Sequence, residues 1–217
     1  MSTPKARAGR PPAELCPAPA DQILAGALRM FADSGYDGAS VAALNRELGV
    51  SHNLVHQRFG SKEKLWYATV DWAFGQVAAQ LLPELDDVTG GPLEQVRRII
   101  RRFILVHAAR PEILRLVTVE SIADSPRLDY LYDRHVAPLL ATMNAPLNRL
   151  VDEGLIAPVS VRTLHFLVAH GGAAPFSMPA LARRIGTGDP MAPDAIAEHA
   201  DTVADLVLAG LQALARS

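Results

Sequence analysis

Along all 217 residues the apolar side chains recur at intervals of three and four, and nowhere does apolar–polar alternation persist long enough to make a strand. Such spacing dictates an all-α chain whose helices must cover one another's apolar stripes. Residues 21–34 place Leu24, Leu28 and Phe31 on one face, with Gly35 where a left-handed cap is wanted. Ser40 is positioned to cap a short second helix that buries Val41, Leu44 and Leu48. Gly49 ends it at a tight turn, and Ser51 is expected to cap a third helix burying Val55 and Phe59. From Ser61 a long helix runs toward Pro83, carrying Leu65, Trp66, Thr69, Trp72, Phe74, Val77 and Leu81.

Pro92 starts the next helix, and Arg110-Pro111 breaks it and restarts another. Ser125-Pro126 opens a helix persisting to Gly154, with kinks or short breaks expected at Pro138 and Pro146. Two final helices are expected near residues 161–184 and Pro193–Ala215, joined by a glycine-rich link at 186–188.

Two short helices joined through Gly49 and Val50 are the signature of a helix-turn-helix, whose second helix offers its N-terminal side chains to a major groove. The exposed positions there are Ser51, His52, Asn53, His56 and Gln57, all able to hydrogen-bond. Asn and Gln can pair with adenine edges, and Ser can serve a phosphate or a base. Net charge is -2, but unevenly divided: residues 1–64 hold eight basic groups against six acidic, the remainder thirteen against seventeen. A mildly basic N-terminal part fits a polyanionic partner, and scattered solvated charge fits it as well.

The run from Gly35 to Leu65, GYDGASVAALNRELGVSHNLVHQRFGSKEKL, closely resembles the DNA-binding region of TetR-family transcriptional regulators. Gly35, Tyr36, Ser40, Leu44, Leu48, Gly49, Val50, Ser51, Phe59, Ser61, Lys62, Glu63 and Leu65 supply the family's pattern in order. His56 stands where the family most often has a phosphate-contacting Tyr, Arg58 where it often has His, and Asn45 in place of a usual Ala.

The resemblance implies three units: a basic arm at 1–20, a three-helix helix-turn-helix DNA-binding domain at 21–64, and a helical ligand-binding and dimerisation domain at 65–217. It implies double-stranded operator DNA as partner, met by Ser40, Ser51, His52, Asn53, His56, Gln57, Arg58 and Lys62. A small-molecule effector is implied too, for which the larger residues of the central helices are candidates: Trp66, Trp72, Phe103, His107, Met143, His165 and Phe166. These stretches carry little charge, which favours an apolar or weakly polar ligand. Val203, Leu206, Val207, Gly210, Leu211 and Leu214 form a stripe on the last helix. It reads either as core, with Gly210 permitting close backbone approach, or as a homodimer seam shared with Leu164, Leu167, Val168 and Gly171.

Other function classes find less support. The histidines form no HExxH, and no GxSxG elbow occurs. Gly186-Thr187-Gly188 follows no strand, so no dinucleotide cofactor is expected. His165 and His170 are five apart, about 140° around an α-helix, and so are not expected to face one metal. The single Cys16 makes neither a disulfide nor a zinc cluster. No apolar run is membrane-spanning, and none follows Lys5, Arg7 and Arg10, so a cytoplasmic protein is expected. A helical protein-interaction adaptor is the alternative to a DNA-binding regulator.

Overall fold

Helix α1, Ala20–Gly38, forms because Ile23, Ala27, Leu28 and Phe31 fall on one stripe and are buried together. The computed structural model describes residues 19–216. The basic arm with Lys5, Arg7 and Arg10, and Cys16, lie outside the described residues. Gly35 adopts φ 67° and ψ 173°, so α1 kinks there before one further turn. A side chain at this positive φ would be strained, and its Cβ would lie 3.3 Å from Val119 Cγ1. Ser40 caps α2, Val41–Glu47, by accepting from the Ala43 amide at 3.3 Å.

The third helix starts later than the sequence pattern suggests. It spans Leu54–Phe59 as α3 behind Asn53, and Ser51 takes part through its backbone carbonyl, which accepts from the Leu54 amide at 3.1 Å, rather than through a side-chain cap. Asn45 is the reason: its Nδ2 donates to the His52 carbonyl at 2.8 Å and holds residues 51–53 as a turn.

Ser61 then caps α4, Lys62–Asp86, by accepting from the Lys64 amide at 3.1 Å. Helices α5, Gly91–Ala109, and α6, Pro111–Glu120, meet at the expected Arg110-Pro111 break. The rod from α7, Pro126–Leu131, to α8, Ala137–Asp152, contains a π turn at Tyr132–Val136. Pro138 explains it: proline has no amide hydrogen to offer the Arg134 carbonyl, and the chain widens just ahead of it, Ala137 donating to the Tyr132 carbonyl. At Pro146 the expected break is absent, and α8 runs through it.

Residues 161–184 are not one helix. They form α9, Val161–His165, a π turn at Phe166–Gly172, α10, Ala174–Ser177, and α11, Pro179–Ile185. Pro175 and Pro179 each begin a helix, and Met178, ahead of a proline, is held off helical geometry at φ -126° and ψ 55°.

Helix α12, Pro193–Ala215, lies on α5 through Ala200, Ala204, Val207, Leu208 and Leu211. The close approach expected at Gly210 occurs at Gly172 instead, where a Cβ would meet Val203 Cγ1 at 2.9 Å; nothing lies within 4 Å of one at Gly210. Arg97 pairs with Asp201 and Asp205, and Arg101 with Asp201, along the same seam. The fold is therefore all-α, an N-terminal helix-turn-helix joined to a helical C-terminal body. Helix α1 rests on both α4 and α6, so the head is attached along two helices.

Candidate nucleic-acid interface and ligand cavity

Helices α2 and α3 meet through Leu44 and Val55, both buried against α1 and α4. That packing leaves the other face of the turn in solvent. Ser40, Ser51, His52, Asn53, His56, Gln57 and Arg58 are all exposed, six of them within eight consecutive residues. Lys62 is half-buried: its Nζ donates to the Asp37 carbonyl at 3.3 Å and lies 4.7 Å from the centre of the Tyr36 ring. Asn45, noticed in the sequence only as a departure from alanine, is the hidden support of this face. It is 1 % exposed and fixes the turn through His52, with its Oδ1 unpartnered. An Asn next to an apolar helix face gives no sign in sequence that it turns inward to a backbone carbonyl.

Tyr36 lies between the two halves. Its ring stacks on Phe31 at 6.1 Å, carries Lys62 on one contact and has the Arg127 guanidinium 4.0 Å from its centre. Arg127, at the start of α7, is held by the buried Glu120 at 3.1 Å. Arg115 of α6 adds an ion pair to Asp33 of α1 at 3.3 Å. Besides α4, α6 and α7 thus tie the head to the body.

In the body, the apolar faces of α4, α5, α6, α8 and α9 do not close completely. They leave a cavity of about 100 Å³. Phe103, His107, Met143 and His165 stand on its wall, with Phe74 and Val77 contributed by α4. His107, His165 and Asn144 are the polar lining residues, and no Lys, Arg, Asp or Glu is among the lining residues.

Three sequence candidates lie elsewhere. Trp66 is 0 % exposed and packs edge-on against Tyr67 and Tyr130 at 5.3 and 6.3 Å, making it core at the joint of head and body. Trp72, on a different face of α4 from Phe74, lies half-buried with the Arg110 guanidinium 4.9 Å from its ring. Phe166 is 57 % exposed, turned outward by the π turn that follows His165. The same turn corrects the expected separation of His165 and His170. With more than four residues per turn the two rings come together, centroids 6.0 Å apart. Among the described residues, however, no group of three His, Cys, Asp or Glu could hold a metal ion.

A polar cluster borders the cavity. Asp71 of α4 accepts from the Tyr130 hydroxyl at 2.8 Å and pairs with His135 Nε2 at 2.8 Å and Arg134 at 3.3 Å. Burial opposes ionisation of Asp71, but the hydrogen bonds from Tyr130 and His135 outweigh it and hold the carboxyl below its ordinary range. The His135 ring also stacks on Phe74, 5.1 Å between centres. One side of Phe74 thus faces the cavity residues while its neighbour anchors α4 to the π turn.

Burial pushes the His107 pKa down to about 4. In the unfolded chain the ring takes a proton near pH 6.5. The folded state's advantage is therefore complete above about pH 6.5 and shrinks as the pH falls toward about 4, by on the order of 3 kcal/mol. His165 and His170, also lowered by burial, act in the same sense. Urea unfolding should show stability falling over that interval, and His107→Phe should flatten most of the slope. An unchanged slope in the variant would mean that His107 is not the group responsible.

A helix-turn-helix with a hydrogen-bonding face, carried on a helical body with an internal cavity, defines a DNA-binding transcriptional regulator. Residues 23–68 match the family described as bacterial regulatory proteins, tetR family, and residues 92–207 match the tetracyclin repressor-like C-terminal domain. The chain belongs to the TetR family. The HTH-type transcriptional repressor AcnR of Corynebacterium efficiens is 29 % identical over 146 residues, covering 66 % of this chain and 72 % of its own. The HTH-type transcriptional regulator RutR of Escherichia coli is 27 % identical over 146 residues, covering 67 % and 68 %. In fold, the chain is similar to FadR of Bacillus subtilis in complex with stearoyl-CoA, with a TM-score of 0.63, 16 % identity, and 88 % and 98 % of the two chains covered. No helix among the described residues is long and apolar enough to cross a membrane.

Proposed function

We propose that the protein is a repressor that binds a near-palindromic operator as a homodimer and is released by a small, mostly apolar ligand held in the cavity. The observation that carries this reading is that α4 serves both ends: its first turn bears Lys62 beside α3, and Phe74 and Val77 further along it wall the cavity. A ligand that spreads the cavity pushes on Phe74 and, through His135 and Asp71, on the contact between α4 and the π turn. Movement of α4, and of α6 and α7 against α1, changes the separation of the two recognition helices, so the half-sites are no longer met together. A ligand that weakens operator binding tenfold must prefer the non-binding form by about 1.4 kcal/mol, and operator must weaken ligand binding by the same factor.

The proposed dimer seam uses the outer faces of the second π turn, Phe166–Gly172, and of α12. Phe166, Leu167 and Leu206 are large apolar side chains left in solvent there, with the small Gly171 and Gly210 exposed among them. Large apolar side chains exposed on the last helices support a second copy of the chain as their cover. The DNA-binding unit is assigned to residues 21–64, the ligand-binding and dimerisation unit to 65–217.

Asn53 and Gln57 are assigned to bases, and Ser51, His56 and Lys62 chiefly to phosphates. Mobility shifts on the promoter beside its own gene test this. Lys62→Ala should weaken binding to all sequences alike and lower the salt slope by about one, and Asn53→Ala should relax preference at one or two positions. Wild-type affinity and preference in both variants would refute the assignment. Repeating the shifts with a ligand found by thermal-shift screening tests release.

A further inference from the structure

His107 sits on α5 with 3 % of its surface exposed, and it lines the cavity. Its Nδ1 is 2.8 Å from the carbonyl oxygen of Phe103, one turn back on the same helix. A carbonyl only accepts, so Nδ1 must carry the ring proton. Nε2 is then the ring nitrogen that carries the lone pair and can only accept. Nε2 is therefore an acceptor on a cavity-lining ring, open to a donor that a ligand supplies.

The surroundings decide which donor fits. No cation is among the lining residues. His107, His165 and His170 are all lowered by burial, so none of them adds positive charge at neutral pH. A carboxylate or phosphate entering here would lose its water, gain no counter-charge and face the Nε2 lone pair. A hydroxyl meets none of these penalties, and the Asn144 amide of α8 can serve its remaining hydrogen-bonding capacity. The volume of about 100 Å³ is less than the roughly 150 Å³ of an apolar cavity that takes up benzene, so the ligand is limited to about one ring and has to spread the cavity to enter.

We propose that the ligand is a neutral, one-ring or similarly small apolar molecule with a single hydroxyl, such as a phenol, which donates to His107 Nε2. The proposal rests on reading the cavity as the effector site, and it narrows that site to one chemical class.

Calorimetric titration of the full chain with p-cresol, p-methylanisole and p-toluate tests it, since the three share a ring and differ in carrying a donor, an ether or an anion. Wild type should bind p-cresol at least about tenfold tighter than p-methylanisole, with p-toluate weakest. His107→Phe, which keeps a ring but removes the acceptor, should bind p-cresol and p-methylanisole alike. Nitrogen NMR of the wild-type imidazole should show an unprotonated Nε2 that shifts on adding p-cresol, a readout that remains if the variant fails to fold. Equal wild-type affinity for p-cresol and p-methylanisole, or a preference that survives in a folded His107→Phe, overturns the hydroxyl inference and leaves the cavity as an effector site. Binding of none of the three overturns both. Tightest binding of p-toluate would reverse the assigned charge preference.

Discussion

Phe166→Glu combined with Leu206→Glu should yield a folded monomer whose operator affinity is lower by about a hundredfold or more. Both side chains are large, apolar and exposed, at 57 % and 68 %, so glutamate at either costs the single chain little. The residues that hold α12 to the body, Ala204, Val207, Leu208 and Leu211, point the other way and remain covered. In the proposed dimer, four carboxylates would be brought together in a dry seam, which is enough to separate the copies. Separation removes the coupling between half-sites, so the second recognition helix no longer binds at the high effective concentration that its tether provides. Sedimentation and mobility shifts on the same preparation check both halves of the expectation. A variant that stays dimeric would move the interface off this face. Full operator affinity in a true monomer would remove the need for a dimer.

The second large effect concerns stability. Trp66→Ala should cost about 3–5 kcal/mol, because Trp66 of α4 is fully buried, packed against Tyr67 and Tyr130 at the joint of head and body. Trp66→Phe should cost much less, since the indole Nε1 is buried without a hydrogen-bond partner and its loss leaves nothing unpaired. Urea denaturation of the two variants separates this reading from a ligand-binding one. A residue of the cavity wall would tolerate Ala better and change ligand affinity, whereas Trp66→Ala should lower stability and leave the ligand selectivity of the surviving folded fraction unchanged. Near-native stability of Trp66→Ala would contradict the core assignment.

Much of the helix-turn-helix was legible because its signals are local. Ser40 caps within three residues, Gly49 turns where it stands, and Leu44 and Val55 fall on the faces that the period of the helix requires. The start of α3 was misread because Ser51 is a good cap by composition, while the true turn is set by Asn45, seven residues from the carbonyl it holds. The single long helix expected at 161–184 failed on signals that were present in the sequence, Pro175 and Pro179. The expected separation of His165 from His170 failed because an α-helical angle does not hold in a π turn.

By itself the sequence determined the class of fold, the position of the DNA-binding head and the helix faces that must be covered, since each follows from spacing within a few turns of chain. What covers each face was decided only by the tertiary structure. Trp66, Phe103 and Phe166 are all large aromatics on helices, yet one is core, one lines a cavity and one is left in solvent. The physical reason is that periodicity records which side chains avoid water. Whether the space beyond them is filled by a neighbouring helix, left empty or exposed depends on how several helices, far apart in sequence, fit against one another.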